Sequence, residues 1–575
     1  MLDIDVVPNV ETTGSFHLQR ERAAFFAVVS IVEAAVGQSL VDRQEVRTEN
    51  DLRAVLPQEG SDFLAFLAGD AEWRPRILRP ALSADCHETI VVQAILQIAE
   101  MYKKVFEVCA QDRIDNAVQK YHDDEADLRN LSLPRDDVAW AAKYIVSYVL
   151  GRPPRFIPWT AGHFGPGACA EGLNHVERFS APVSWNLIDV IDVTDAPECL
   201  ERSITFGPQS PARMIAVPKT FEKPRLIAAE PAWNMWFQQA LGDILRRKMC
   251  RYAWLDTTNQ DRNGYLSMED GSGTIDQSRA SDRVSLELVR FLFGPYWFEL
   301  LNAVRTPSVD CLCGDNHVLA KFAGMGSATT FPVETLVFAA IAMASMAITD
   351  GLVIDHPDRV AQLFSMYGDR VGFYGDDAVV PAAYVDTIRA DYERFGFVVN
   401  NEKSYAFGPF KESCGVYSFM GIDVTPTRRR RLLSTKSDAV SIAAATSFYN
   451  GIVLRWSDQV DSELFNHLAE SLGIAGIPVV PYCIDYSHPK PTLYRYGAGF
   501  GRYSGIPEQD RGWDLFPKAR YAALSGRRRS YTVTESNAAA VAYLCMKDVG
   551  KQLPPKSLSQ RFSPRPDALR LRLRS

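Results

Sequence analysis

Apolar positions recur at helical spacing between Thr89 and Val108 (Val92, Ile95, Ile98, Met101, Val105), which predicts one long helix. A second stripe, Val284, Leu288, Phe291 and Leu292, follows the string Gly273-Thr274-Ile275-Asp276-Gln277-Ser278-Arg279-Ala280-Ser281-Asp282. There a short strand is expected to end in Asp276, turn, and enter a helix carrying Asp282 in its first turn. The apolar run from Thr335 to Ile348 is too short to span a bilayer and suits a buried helix. Between Val371 and Val380 two β-type runs flank Gly375-Asp376-Asp377, and Pro381 stops the second run. That pattern predicts a hairpin with two acids at its tip. Phe164-Gly165-Pro166-Gly167 interrupts the periodicity and reads as a loop. Residues 264–426 as a whole mix short strands with helices, an α+β layer.

Composition narrows the function classes. The 575 residues carry 62 Lys+Arg against 70 Asp+Glu, a net charge of −8, with 47% hydrophobic residues. That excludes a disordered, collagen-like or disulfide-scaffold chain and a protein coated in positive charge. Local basic stretches still allow a cationic channel inside an acidic shell. Arg213, Lys219, Lys223 and Arg225 face only Glu222; Arg246, Arg247, Lys248 and Arg251 follow, then Arg428 to Arg431, Arg527 to Arg529 and an Arg-spaced tail from Arg561. The run at Arg428 reads as a solvated surface or an RNA-backbone contact. Ten Cys are scattered, and the acidic start Met1-Leu2-Asp3 lacks a secretory n-region, so reduced thiols and a soluble protein are expected.

The acids carry the chemistry. Phosphoryl transfer by two divalent ions needs carboxylates from separate elements converging on ions about 3.5–4 Å apart. Asp276 and the Asp376/Asp377 pair meet that need, and hard oxygen donors favour Mg²⁺, with Mn²⁺ as a substitute, over zinc. Between them, Gly324-Met325-Gly326-Ser327-Ala328-Thr329-Thr330 runs into Pro332 and the apolar helix. It is a helix entrance with Thr330 as candidate cap, and its place between the acidic strings makes it a candidate substrate loop. Cys311-Leu312-Cys313-Gly314-Asp315-Asn316-His317 offers two thiols and an imidazole, but the spacing is tight and no second ligand pair is evident. It reads as a turn between strands.

These pieces, in this order, resemble the RNA-dependent RNA polymerases, specifically the replicase subunit of small single-stranded RNA bacteriophages. The resemblance covers residues 213–426: a basic segment from Val217-Pro218-Lys219 to Met235, the motif Asp276 to Asp282, Tyr374 to Asp377, and the strings Asn400-Asn401-Glu402-Lys403-Ser404 and Gly408 to Gly415. It implies a right hand of fingers, palm and thumb, an α+β fold with an antiparallel palm sheet covered by helices. The expected divisions are 1–212 (scaffold and fingers elements), 213–262 (basic fingers motif), 263–427 (palm) and 428–575 (thumb and basic tail). Asp276, Asp376 and Asp377 would hold two Mg²⁺. Lys219 and Arg225 would contact the nucleotide triphosphate, Ser281 and Asp282 the ribose, and Gly326 and Thr330 would belong to the loop holding template and nucleotide. Lys403 matches a lysine that protonates the leaving pyrophosphate. Glu222 and Pro224 depart from the basic pattern.

The resemblance further implies a single-stranded RNA template, ribonucleoside triphosphates and initiation without a primer. It also implies host elongation factors Tu and Ts, a host ribosomal protein, no membrane, and the cytoplasm of an infected bacterium. A reverse transcriptase would share the aspartates but usually sets an aromatic ring shortly after the first; Gln277 to Ser281 provide none. A non-catalytic RNA-binding protein on the same scaffold would not need all three acids.

Overall fold

The computed structural model describes residues 15–68, 72–79, 89–105, 109–192, 204–219, 223–433, 439–456, 459–474, 521–526 and 569–574. Glu222, the triplet Arg527 to Arg529 and the first part of the basic tail lie outside them.

Five helices come first: α1 (Ser15–Val36), α2 (Leu56–Ala68), α3 (Thr89–Glu100), α4 (Gln111–Asn130) and α5 (Asp137–Leu150). Two short strands, β1 (Val183–Ser184) and β2 (Phe206–Gly207), lead to β3 (Ala212–Pro218), β4 (Pro224–Ala229) and α6 (Ala232–Met249). Next come α7 (Asp261–Ser267), β5 (Ser272–Ile275), α8 (Ala280–Arg283), α9 (Leu286–Val304), β6 (Ser308–Asp310), β7 (Asn316–Val318) and α10 (Thr330–Thr349). The chain continues through α11 (Pro357–Tyr367), β8 (Gly372–Tyr374), β9 (Asp377–Pro381) and α12 (Val385–Arg394). Strands β10 (Phe410–Ser413), β11 (Val416–Phe419) and β12 (Ile422–Asp423) precede α13 (Ala439–Trp456) and α14 (Ser462–Ser471), and β13 (Tyr521–Gly526) pairs with β14 (Leu569–Arg574). The fold mixes helix and sheet, as expected.

Two small sheets set the centre. One runs β5-β9-β8, all antiparallel; the other runs β4-β3-β6-β7, with β3 and β6 parallel. Helix α10 is apolar on every side because it is buried on every side, in one core with α5, α6, α9 and the β8–β9 hairpin. The helix is longer than the apolar run and, contrary to expectation, could cross a bilayer by length and apolarity, yet 89% of that window is buried inside the protein, as expected of a core helix. Residues of α1–α3 share a second core with β10, β11, α13 and α14. Helix α4 lies on the four-stranded sheet through Val118 and Tyr121, against Ala212, Met214, Ala228, Val309 and Leu319.

Three expectations are corrected. The helix beginning at Thr89 stops at Glu100. Met101, Tyr102 and Val105 are buried, but in turns held by tertiary bonds: Arg429 N donates to Met101 O at 2.7 Å, and the Tyr102 hydroxyl donates to Glu21 at 3.0 Å. Asp282 lies not in the helix bearing the Val284 stripe but in the separate single turn α8; Val284 is extended, and Ser285 caps α9 by accepting from Leu288 N at 3.1 Å. In the run Arg428 to Arg431, Arg430 and Arg431 are exposed as expected, but Arg428 and Arg429 turn inward. Arg428 pairs with Glu100 at 2.5 Å and buried Arg429 pairs with Glu21, joining the segment after β12 to α3 and α1.

The end of β4 supplies a pH handle. Glu230 is buried, accepting from Gln238 Nε2 at 3.0 Å and from the Thr306 hydroxyl. Burial pushes its carboxyl up to about 7 despite those donors and Arg305, whose own value burial lowers to about 10. The folded chain thus holds a proton that the unfolded chain releases near its ordinary value of 4.5. This contribution is complete below that value and is lost as pH rises to the folded value. Glu230→Gln, which stays neutral, is expected to remove about 2–3 kcal/mol of the fall in unfolding free energy over this window, measured by urea denaturation at successive pH values.

Candidate active site

Strand register builds the acidic centre. Ile275 pairs with Ala378, so the next step along both strands sets Asp276 across from Asp377, which on its other side pairs with Tyr374. Directly opposed residues of an antiparallel pair lie about 4.5–5.5 Å apart at Cα and project to one face. Asp376 sits in the two-residue turn beside them. The turn requires Gly375, whose φ is 62° and where a Cβ would meet the Phe331 ring at 2.7 Å. Gly375 N donates to the Thr335 hydroxyl at 2.9 Å, tying the hairpin to α10.

The other flank of β5 is stitched to the segment carrying Lys403. Thr274 and Tyr405 exchange backbone bonds at 2.9 Å, Asn400 N donates to Asp276 O at 2.9 Å, and Ser404 Oγ accepts from Asp276 N at 3.1 Å. Asn400 Nδ2 also donates to the Asp276 carboxylate at 2.8 Å. Lys403 Nζ is 3.8 Å from Glu412, on β10.

The electrostatics show how tightly these groups meet. Burial first, then the charges of Asp376, Asp276 and Glu412, push the Asp377 carboxyl up to about 8, although Cys414 N donates to it. Burial also pushes Asp276 up to about 6; Lys403 and the Asn400 bond pull it down while Asp376 and Glu412 raise it. Lys403 is held above its ordinary value by Glu412, then by Asp276 and Asp377, against desolvation. Carboxyls from the end of β5, the hairpin and β10 are therefore crowded in one desolvated place that favours protonation until a cation enters, and their hard oxygens are a donor set that fits divalent Mg²⁺ or Mn²⁺.

The cationic rim comes from the β3–β4 hairpin. Val217 pairs with Arg225, and Lys219 N donates to Lys223 O at 3.3 Å, which places exposed Lys219 and Arg225 near its end. Lys219 feels Asp376 and Asp276, but partial desolvation, Arg225 and Lys403 together lower its pKa. Pro224 opens β4 and leaves this register intact.

The loop before α10 is wedged against β4. Ala228 N donates to Met325 O at 2.7 Å, and Gly326, at φ 129°, leaves only 2.1 Å between a would-be Cβ and Ala228 O. Gly326→Ala must move backbone, so we expect a loss of about 1–3 kcal/mol in chemical denaturation. Thr330 is the first residue of α10 rather than its cap; its hydroxyl donates to Gly324 O at 2.9 Å and shapes the loop.

Ser281 is buried in α8. Asp282 beside it pairs with Lys321 Nζ at 2.8 Å, and fully buried Lys321 also lies 3.5 Å from Glu125 on α4 and 3.3 Å from the Tyr121 ring centre. The same helix holds α8 from the other side: Asp124 accepts from Arg279 at 2.6 Å and from Arg283 at 2.7 Å.

Sequence reasoning missed Glu334. This α10 residue is buried, its Oε2 finds no hydrogen-bond partner among the described residues, and burial with Asp376 and Asp282 raises its carboxyl well above the ordinary range, opposed by Arg225. It stands four residues after Thr330, one helical turn along the same face, and that spacing was the available signal. Glu412 and Asn400 were quoted only as part of longer strings, and Lys321 gave none.

Known proteins similar to this chain fall in one family. A family model described as RNA replicase, beta-chain, matches residues 101–449. The RNA-directed RNA polymerase subunit beta of Escherichia virus Qbeta is 34% identical over 234 residues, 40% of this chain and 37% of that protein. That of Enterobacteria phage SP is 35% identical over 237 residues, 40% and 38%. The RNA-directed RNA polymerase beta chain of Escherichia phage MS2 is 30% identical over 217 residues, 37% and 36%. The alignments thus span well under half the length of these relatives. Among solved structures, the insertion loop deletion mutant of the RNA-dependent RNA polymerase of a human picorbirnavirus matches with a TM-score of 0.39 at 14% identity, over 65% of this chain and 80% of that one.

Proposed function

The chain belongs to the RNA replicase beta-chain family, and from that premise we propose that it is the catalytic subunit of an RNA-directed RNA polymerase. The observation that carries the reading is the pairing of β5, which ends one residue before Asp276, with β9, which Asp377 opens directly after Asp376. In a right-hand layout, 213–262 would serve as the basic fingers motif, 263–427 as the palm and 428–575 as the thumb and tail, with 1–212 as scaffold.

Asp276, Asp376 and Asp377 would hold two Mg²⁺. Bound there, the ions supply activation of the attacking 3′-hydroxyl and charge neutralisation on the leaving pyrophosphate. The chain's own groups do the rest. Lys219 and Arg225 hold the triphosphate at the rim, countering charge that collects on its oxygens. Lys403, kept protonated by its acidic neighbours, delivers a proton to the pyrophosphate oxygen as it departs. Asp282, fixed by Lys321, and Ser281 address the ribose 2′-hydroxyl. The substrates are then single-stranded RNA and ribonucleoside triphosphates, and initiation needs no primer. Relatives bear the name subunit beta, and this chain likewise would act within a larger assembly, with elongation factors Tu and Ts and a ribosomal protein, in the cytoplasm of an infected bacterium.

The test supplies the assembly purified from infected cells with single-stranded RNA, Mg²⁺ and either ribo- or deoxyribonucleotides. Template-dependent incorporation of ribonucleotides is expected. Preference for deoxyribonucleotides would favour a reverse transcriptase, and no incorporation of either would favour an RNA-binding protein.

A further inference from the structure

The tight Cys311-Leu312-Cys313 spacing lacked a partner along the sequence, and the fold provides one. His122 on α4, 191 residues before Cys313, brings Nε2 to 3.7 Å from Cys313 Sγ. The ligand atoms of His122, Cys311 and Cys313 all lie within 4.8 Å of one another. We propose that these three residues form a zinc-class metal site joining α4 to the β6–β7 hairpin.

The hairpin is shaped for chelation. Cys311 N donates to Asp315 O at 2.9 Å and Gly314 N to Cys311 O at 3.0 Å, folding the two thiols back over one turn at Gly314, whose φ is 94°. Bonds of about 2.3 Å to sulfur and 2.0–2.1 Å to nitrogen would put tetrahedral ligands about 3.5–3.8 Å apart, a small contraction from the positions seen. The Asp315 carboxylate lies 4.0 Å from Cys313 Sγ, and water can complete a four-coordinate ion. His317 is not needed: its Nε2 meets Arg129 Nη2 at 2.9 Å, and its ring packs edge-on to His122 at 5.1 Å. Two thiols and an imidazole select a borderline-soft ion, which separates this site chemically from the all-oxygen acidic centre.

Its role follows from what α4 carries. Asp124 and Glu125, two and three residues past His122, hold Arg279, Arg283 and Lys321, and through Lys321 they fix Asp282. A metal at His122 pins the helix that positions this part of the acidic site.

The test uses the full chain, stripped with a zinc-selective chelator and titrated with Zn²⁺ or Co²⁺. With Mg²⁺ in excess to fill the all-oxygen centre, one equivalent should bind tightly, Co²⁺ should give thiolate charge-transfer absorption, and Zn²⁺ should raise the melting temperature. Cys313→Ser, at an exposed position, should weaken binding on the order of 100-fold or more and abolish the absorption band, and His122→Ala should do the same. Cys250→Ser, at an exposed cysteine after α6 outside this cluster, should change neither. If the wild type shows no thiolate band, or if Cys313→Ser binds as tightly as the wild type, the ion is adventitious and the site is refuted.

Discussion

Asp376→Asn is expected to cut template-directed nucleotide addition on the order of 1,000-fold or more while leaving RNA affinity nearly unchanged. The residue sits in a turn held by Gly375 and Thr335, so an isosteric amide fits the same backbone. What changes is charge. Asp376 raises the carboxyls of Asp377, Asp276 and Glu334, and a neutral side chain there relaxes all three while removing one anionic oxygen donor from the centre. Single-turnover extension of a labelled RNA, beside a filter-binding measurement on the same template, separates the two readouts. A variant that elongates at near-normal rate would place the metal ligands elsewhere.

The second large effect lies away from the acids. Lys321→Met keeps volume and apolar contact with Tyr121 but leaves Asp282 and Glu125 without their shared cation. Removing one partner from a buried pair costs about 3–5 kcal/mol, because the remaining charge stays desolvated. We therefore expect a loss of that size in chemical denaturation and, with Asp282 no longer held, weaker discrimination between ribo- and deoxyribonucleotides. Pairing the change with Glu125→Gln should restore part of the stability but not the discrimination, since Asp282 remains unheld. Stability and selectivity that both match the wild type would remove Lys321 from the account.

Local patterns were legible where local forces decide the structure. The hairpin around Asp376 follows from two β-type runs about a Gly-Asp pair, and α10 from an apolar run too long for a strand. The outcome at Thr89 shows where periodicity misleads. Met101, Tyr102 and Val105 keep a helical rhythm, yet Glu21 and Arg429, from distant parts of the chain, hold them in turns. At Val284 the apolar stripe was right and the helix start was wrong, because Ser285 is the better cap and Val284 stays extended. Arg428 looked like surface for a related reason: its partner Glu100 is 328 residues away. Glu334, Lys321 and His122 share that difficulty, since each takes its meaning from charges or thiols on other elements. Convergence of the three aspartates was legible only through the order of motifs, and register then supplied the geometry.

Metal-directed cleavage tests that convergence most directly. With Fe²⁺ in place of Mg²⁺, ascorbate and peroxide, radicals cut backbone only near the bound ion. The account predicts paired cuts, one next to Asp276 and one next to Asp376 and Asp377, both suppressed by excess Mg²⁺ and both lost in Asp376→Asn. Cuts at one segment without the other would contradict it.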